Sequence, residues 1–190
     1  MRLFAALVPP ADVLDAVAAA VAGLRAALPD EGHTVRWSRR ESWHLTLAFY
    51  GEADGPATAV LADRLGRAAA RTAPFRIGLG GGGHFGDTVL WTGAGGDLPA
   101  LRRLAERAAA AGRRAGLPGE ERRYRPHLTL ARARTLPGLP AAVSALDGFT
   151  TGDWTVRELV LLGSELPRSG VPGERPRYTQ VDRRPLGGAG

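Results

Sequence analysis

One five-residue motif occurs twice in the chain. It reads His44-Leu45-Thr46-Leu47-Ala48 in the first half of the chain and His127-Leu128-Thr129-Leu130-Ala131 in the second. Both copies are β-compatible, and residues i and i+2 of a strand share a face, so each histidine projects beside its threonine while the leucines pack into the core. The repeat predicts a duplicated half, with two lobes that bring their His-Thr pairs together across a cleft.

The elements around the two copies predict the fold class. Strands are expected over residues 2–8, 34–37, 43–50, 75–79, 88–92, 127–133, 154–162 and 177–181, and helices over residues 11–28, 56–71, 98–115 and 139–146. Strands and helices do not alternate strictly, which argues against a doubly wound parallel sheet. We therefore predict an α+β protein with two pseudo-symmetric lobes of antiparallel sheet, helices packed outside and an active-site cleft between the lobes. No linker divides the chain, so residues 1–186 form one two-lobed domain and residues 187–190 a flexible tail.

The amino-acid composition limits which catalytic groups and partners the protein can have. The 190 residues are 44% hydrophobic and contain no cysteine, which excludes disulfides, thiolate nucleophiles and Cys-ligated zinc. No apolar run approaches the roughly 18 residues of a membrane span, so we expect a cytoplasmic protein without membrane contact. All 25 cationic side chains are arginine and the net charge is +6, which favours polyanionic or phosphorylated partners.

Two imidazoles in one cleft suit the hydrolysis of a phosphodiester. One ring can take a proton from water while the other gives a proton to the departing oxygen, because imidazole titrates near neutral pH. The hydroxyls of Thr46 and Thr129 can bind the non-bridging oxygens as charge builds. This scheme needs no metal and no cofactor. The residues alone leave open which histidine is the acid.

The chain resembles the two-histidine phosphoesterase superfamily, in particular its bacterial RNA 2′,3′-cyclic phosphodiesterase branch, also called 2′-5′ RNA ligase. The resemblance rests on the early strand at residues 2–7 and on the contexts of the two motifs, residues 43–51 and 125–132, and it covers nearly the whole chain. It implies that His44 donates a proton to the leaving 3′ oxygen and that His127 accepts one from water, which leaves a 2′-phosphate. It also implies ligation in reverse through a 2′-5′ linkage without ATP.

Arg132 is a third candidate for phosphate binding. The resemblance favours it, but strict alternation from His127 puts its side chain on the opposite face unless the strand bends or bulges. Arg125 shares the face of His127 and is a weaker candidate.

Aromatic residues beside the motifs are candidates for base stacking. They are Phe49 and Tyr124, with Tyr50 next to them, although aromatic side chains in strands more often fill cores. His33 and His84 lack a threonine two residues on and receive no role. The glycine run at residues 78–83 precedes a strand rather than a helix, so it does not fit a dinucleotide-binding loop and is interpreted as a hairpin connection.

The expected partner is RNA with a 2′,3′-cyclic phosphate end, with tRNA fragments among the candidates, and the protein is expected to be a monomer. Two alternatives remain. One is a phosphodiesterase for 2′-5′ linkages or small cyclic nucleotides, which shares the whole catalytic core. The other is an RNA-binding module that keeps the fold without chemistry. The Arg-rich segment from Arg168 to Arg184 matches no family motif.

Overall fold

The structure is a computed structural model that describes residues 1–27, 35–119, 123–136, 138–165 and 176–188. The strands are β1 (Arg2–Leu7), β2 (Arg36–Trp37), β3 (Leu45–Glu52), β4 (Phe75–Phe85), β5 (Val89–Gly96), β6 (His127–Arg132), β7 (Trp154–Val156), β8 (Glu158–Glu165) and β9 (Arg177–Pro185). The α-helices are α1 (Ala11–Ala27), α2 (Gly55–Ala70), α3 (Leu98–Arg114) and α4 (Leu139–Ala145). His33, the predicted end of the first helix at residue 28 and the predicted start of the second strand at residue 34 lie outside the described residues.

All nine described strands belong to one antiparallel sheet. Their order is β7-β4-β5-β6-β3-β1-β8-β9, with β2 pairing beside β6. The two motif strands, β3 and β6, therefore lie at the centre, with three strands of the path beyond each of them. Leu45 pairs with Leu128, which is the same position of the repeat, so a local two-fold axis passes between the copies. The predicted α+β class and pseudo-symmetry are confirmed, and the two lobes share one continuous sheet.

The helices cover one face of this sheet. Residues from all four helices join alternate strand residues in one apolar cluster, to which α3 contributes Leu101 and Leu104. Asp54 and Asp97 cap α2 and α3 by accepting bonds from the backbone N–H groups three residues on, which fixes where each helix begins. The other face, which we call the open face, carries a small apolar cluster that includes Phe4 and Phe49. No described helix combines the length and apolar content that a bilayer span requires.

The glycine run is a strand and not a hairpin connection, so that interpretation was wrong. β4 continues through it to Phe85, and the turn comes at residues 86–88. Glycine is required there by close packing. A Cβ on Gly82 would lie 2.8 Å from the Leu146 Cβ that follows α4, and one on Gly83 would fall within the ring of Trp91. The run therefore admits a helix on one face and an aromatic ring on the other.

The strand predicted over residues 154–162 is two strands that pair at opposite ends of the sheet. Val156 of β7 pairs with Phe75, whereas Glu158 of β8 pairs with Pro185 of β9. One residue, Arg157, separates them, so the sheet must curl until its two ends approach each other. Periodicity could not reveal this break because both segments are apolar and extended.

The C-terminal strand is longer than predicted. β9 continues beyond residue 181 to Pro185, and the predicted flexible tail begins with Gly187, whose N–H donates to the Ala69 carbonyl oxygen over 3.2 Å. Residues 189 and 190 lie outside the described residues.

Candidate active site

The pairing of Leu45 with Leu128 brings the four motif side chains together. Extending that antiparallel register by one residue places His44 beside Thr129 and Thr46 beside His127. The leucines of both copies are buried, whereas the histidines and threonines are partly exposed. The predicted alternation thus holds, and both His-Thr pairs lie on the face of the sheet opposite the helices.

Each copy of the motif contains a β-bulge at its second leucine. On β3, Thr46 and Ala48 are opposite the consecutive residues Ala6 and Ala5, which leaves Leu47 as the extra residue. On β6, Thr129 and Ala131 are opposite Trp91 and Leu90, which leaves Leu130 extra. The pseudo-symmetry therefore extends to an irregularity of the backbone.

The bulges decide which face the fifth residue after each histidine occupies. An extra residue reverses the alternation, so Ala131 faces the helices and Arg132 returns to the face of His127 and Thr129. The positive charge of Arg132 lowers the pKa of His44, which places the guanidinium near that ring. On β3 the corresponding residue is Phe49, which packs in the open-face cluster with Phe4.

A backbone carbonyl orients each imidazole. The Nδ1 atom of His127 is 2.7 Å from the carbonyl oxygen of Arg125. A carbonyl oxygen can only accept, so Nδ1 carries the hydrogen and the neutral ring presents Nε2 as the proton acceptor. His44 makes the corresponding bond with the backbone of Ser42, again two residues before the histidine.

Burial makes His44 hard to protonate. Desolvation is the largest effect and lowers the pKa of His44 to about 4; the charges of His127 and Arg132 lower it further, and the Ser42 bond opposes them. The rings of Phe4 and Tyr178 supply part of this apolar environment, with centroids 4.8 and 5.5 Å from the imidazole. The free protein at neutral pH therefore holds His44 mostly neutral.

A second aromatic group surrounds His127. The Phe85 ring lies edge-on to the imidazole at 4.8 Å and the Trp91 ring is 6.0 Å away. The Arg125 guanidinium carbon lies 5.8 Å from the centroid of Phe85 and 5.9 Å from that of Trp91, within cation–π range. Arg125 is therefore part of the surroundings of His127 both through its carbonyl and through its side chain.

Sequence reasoning missed four aromatic residues that, among the described ones, contact the histidines. They are Phe4, Phe85, Trp91 and Tyr178. Phe4 and Trp91 lie on the strands next to the motif strands, whereas Phe85 and Tyr178 lie on β4 and β9, further out in the sheet. Only the strand order brings them to the site, so no local pattern could have identified them.

The stacking candidates lie in different environments. Phe49 is partly buried on the open face, beside Phe4. Tyr124 is partly buried against the helix-side core; burial raises its pKa, and its hydroxyl has no hydrogen-bond partner among the described residues. Tyr50 is buried and donates to the Ala108 carbonyl oxygen of α3. A stacking role for Phe49 or Tyr124 stays a prediction.

Fold and site together define a class of proteins built on two pseudo-symmetric strands that each carry a His-x-Thr motif. The family model of the 2′-5′ RNA ligase superfamily matches residues 13–167. The chain therefore belongs to this superfamily, and the resemblance inferred from the motifs is confirmed.

Relatives named RNA 2′,3′-cyclic phosphodiesterase match most of the chain. One from Aeropyrum pernix is 33% identical over 79% of this chain and 88% of its own length. Another, from Thermus thermophilus, is 32% identical over 99% of this chain and 91% of its own length. These relatives bear out the prediction of an enzyme of this kind.

Solved structures share the architecture. E. coli LigT complexed with 3′-AMP matches with a TM-score of 0.73 and 27% identity over 97% of each chain. A protein of Thermus thermophilus matches with the same TM-score and 29% identity over 99% of each chain.

Proposed function

We propose that the protein hydrolyses RNA 2′,3′-cyclic phosphate ends to 2′-phosphates, with His44 and His127 as the acid and base. The observation that carries this proposal is the two-fold arrangement of His44, Thr46, His127 and Thr129 on one face of β3 and β6. Two imidazoles on opposite sides of a phosphate are suited to an in-line displacement, in which one proton is taken and another is given on opposite sides of phosphorus. The names of the relatives support the substrate.

His127 is the base in this mechanism. Its Nε2 atom takes a proton from water, and the water oxygen forms a bond to phosphorus. The bond from phosphorus to the 3′ oxygen breaks, and His44 gives its proton to that oxygen, so the phosphate remains on the 2′ oxygen. Thr46, Thr129 and Arg132 bind the non-bridging oxygens, where their bonds strengthen as negative charge builds.

Because its pKa is low, His44 can act as the proton donor only if substrate binding raises that pKa. Taken alone, a pKa of about 4 suits a base, and the donor role follows from the family resemblance. Raising the pKa by three units requires about 4 kcal/mol, and a phosphate charge about 4 Å from the ring supplies about 4 kcal/mol at an effective dielectric constant of 20. Substrate binding is thus sufficient to load His44 with its proton.

The same atoms account for ligation. If the 5′ hydroxyl of a second RNA takes the place of water, His127 removes its proton, the 3′ oxygen leaves with the proton from His44, and a 2′-5′ linkage forms. The cyclic phosphate is itself the activated group, so ATP has no place in the reaction.

The test is incubation of the purified protein, in EDTA, with a short RNA that ends in a 2′,3′-cyclic phosphate. We expect a 2′-phosphate product, and much slower product formation by a variant that carries both His44→Ala and His127→Ala. A 3′-phosphate product would contradict the assigned leaving group. RNA binding without turnover by the unsubstituted protein would support a binding module in place of an enzyme.

A further inference from the structure

We propose that Arg36 binds a second phosphate of the RNA, one nucleotide away from the cyclic phosphate, so that the site prefers an oligonucleotide end to an isolated nucleoside 2′,3′-cyclic phosphate. This inference rests on the proposed function and names the substrate class for the same site. Arg36 belongs to β2, which spans Arg36 and Trp37.

Arg36 lies directly opposite Arg132 in the antiparallel pairing of β2 with β6. Residues that are directly opposite share a face, and the bulge at Leu130 puts Arg132 on the face of the histidines. The next pair, Trp37 with Ala131, faces the helix-side core, where Trp37 packs and Ala131 is buried. Arg36 therefore projects onto the open face beside Arg132.

Two like charges directly opposite each other in a sheet are unfavourable unless something binds between them. Both arginines are exposed, and within the described ranges neither forms an ion pair with a carboxylate. Arg40, four residues after Arg36, provides the contrast because it pairs with Asp15 at 2.6 Å. An anionic ligand would relieve the repulsion between Arg36 and Arg132.

The backbone holds this pair of arginines in a fixed place. Ser38 donates its N–H to the Leu130 carbonyl oxygen over 2.8 Å, which ties the end of β2 to the bulged residue. Counted along β5, Val89 is opposite Arg132 and Trp91 is opposite Thr129. The row that holds Arg36 and Arg132 is thus two residues along the sheet, about 7 Å, from the row that holds Thr129.

This spacing gives the RNA two phosphate positions, one beside the histidines and one beside Arg36. Arg132 is near enough to His44 for its charge to lower the pKa of that ring, so it faces the reactive phosphate. Arg36 lies beside Arg132, on the edge of β6 that also pairs with β3, and about 7 Å along the sheet from the row that holds Thr129. One nucleotide can span this distance, so the phosphate on the 5′ oxygen of the terminal nucleotide fits Arg36. Guanidinium groups bind phosphate oxygens in a bidentate manner, which suits this role.

The test compares two substrates, adenosine 2′,3′-cyclic phosphate and the dinucleotide ApA with a 2′,3′-cyclic phosphate end. We expect the unsubstituted protein to have the higher kcat/KM for the dinucleotide. Arg36→Gln should lower the ratio of kcat/KM for the dinucleotide to kcat/KM for the mononucleotide about tenfold. The salt dependence of dinucleotide binding should also weaken, because one contact between an arginine and a phosphate is lost. Arg102→Gln is the matched control because Arg102 is an exposed arginine on α3, which packs against the opposite face of the sheet.

The inference would be overturned if Arg36→Gln lowered kcat/KM equally for both substrates, or if it left the ratio and the salt slope unchanged. Either result would leave the proposed function intact. Absence of turnover of either substrate by the unsubstituted protein would instead overturn the proposed function. In that case the salt slope of dinucleotide binding, measured at equilibrium for the same two variants, still decides whether Arg36 contacts the second phosphate.

Discussion

The two copies of the motif have the same backbone and different surroundings. Both histidines bond to the backbone two residues earlier, and both strands bulge at the second leucine. The fifth residue after the histidine, however, is Phe49 in one copy and Arg132 in the other. Symmetric geometry alone cannot tell an acid from a base, so the direction of the reaction must come from these unequal neighbours.

The largest expected effect is a change in the pKa of His44 when a phosphate ligand binds. The pKa is about 4 in the free protein because burial, His127 and Arg132 all disfavour the charged ring. A phosphate anion reverses the sign of the local field, so a nucleoside 2′-phosphate should raise the pKa towards 7, about 4 kcal/mol. NMR titration of the His44 imidazole with and without ligand measures this change. A pKa that stays near 4 in the complex would assign His44 to the base.

The next effect concerns the free energy of unfolding, to which the two copies of the motif should contribute equally. Leu47 and Leu130 are the bulged residues, 4% and 1% exposed. Leu47→Ala and Leu130→Ala should each lower the free energy of unfolding by about 2–5 kcal/mol, because each leaves a cavity in the same core. Urea denaturation measures both, with Val60→Ala on the exposed face of α2 as the control. A loss confined to one copy would show that the two bulges do not have equivalent structural roles.

Arg132→Phe would make the second copy resemble the first. Since Arg132 is proposed to bind the phosphate, its loss should lower kcat/KM about 10- to 100-fold. The same change should raise the pKa of His44, because the Arg132 charge depresses it. Arg134→Phe, two residues further on at an exposed position, is the matched control in the kinetic assay and the titration. A fall in kcat/KM of similar size in both variants would indicate loss of general surface charge.

The smallest expected effect is that of Tyr178 on His44. Tyr178→Ala exposes one side of the imidazole to water and should raise its pKa by less than about one unit, since Phe4 remains in contact. Tyr178→Phe keeps the ring contact and should leave the titration of His44 unchanged. If the two variants titrate alike, the aromatic ring is not what shields His44.

The sequence was sufficient to predict what depends on local pattern. The identical repeats predicted the duplication, and alternation around Leu45 and Leu128 predicted which side chains share the open face. It could not predict the bulges at Leu47 and Leu130, because a bulge appears only in the pairing with a neighbouring strand. Arg132 was therefore ambiguous from sequence. Arg36 and Tyr178 reach the site through strand order alone, to which no local signal corresponds.

We propose that the two copies of the motif act as one acid–base pair on one phosphate. The most direct measurement is single-turnover hydrolysis of an RNA 2′,3′-cyclic phosphate by His44→Ala, by His127→Ala and by the double variant, with His84→Ala as the control outside the motifs. Groups that act as a unit are not additive, so each single variant should lose roughly 10²–10⁴-fold and the double variant should be only slightly slower than either. Losses that multiply in the double variant, or full activity without one of the two histidines, would contradict the account.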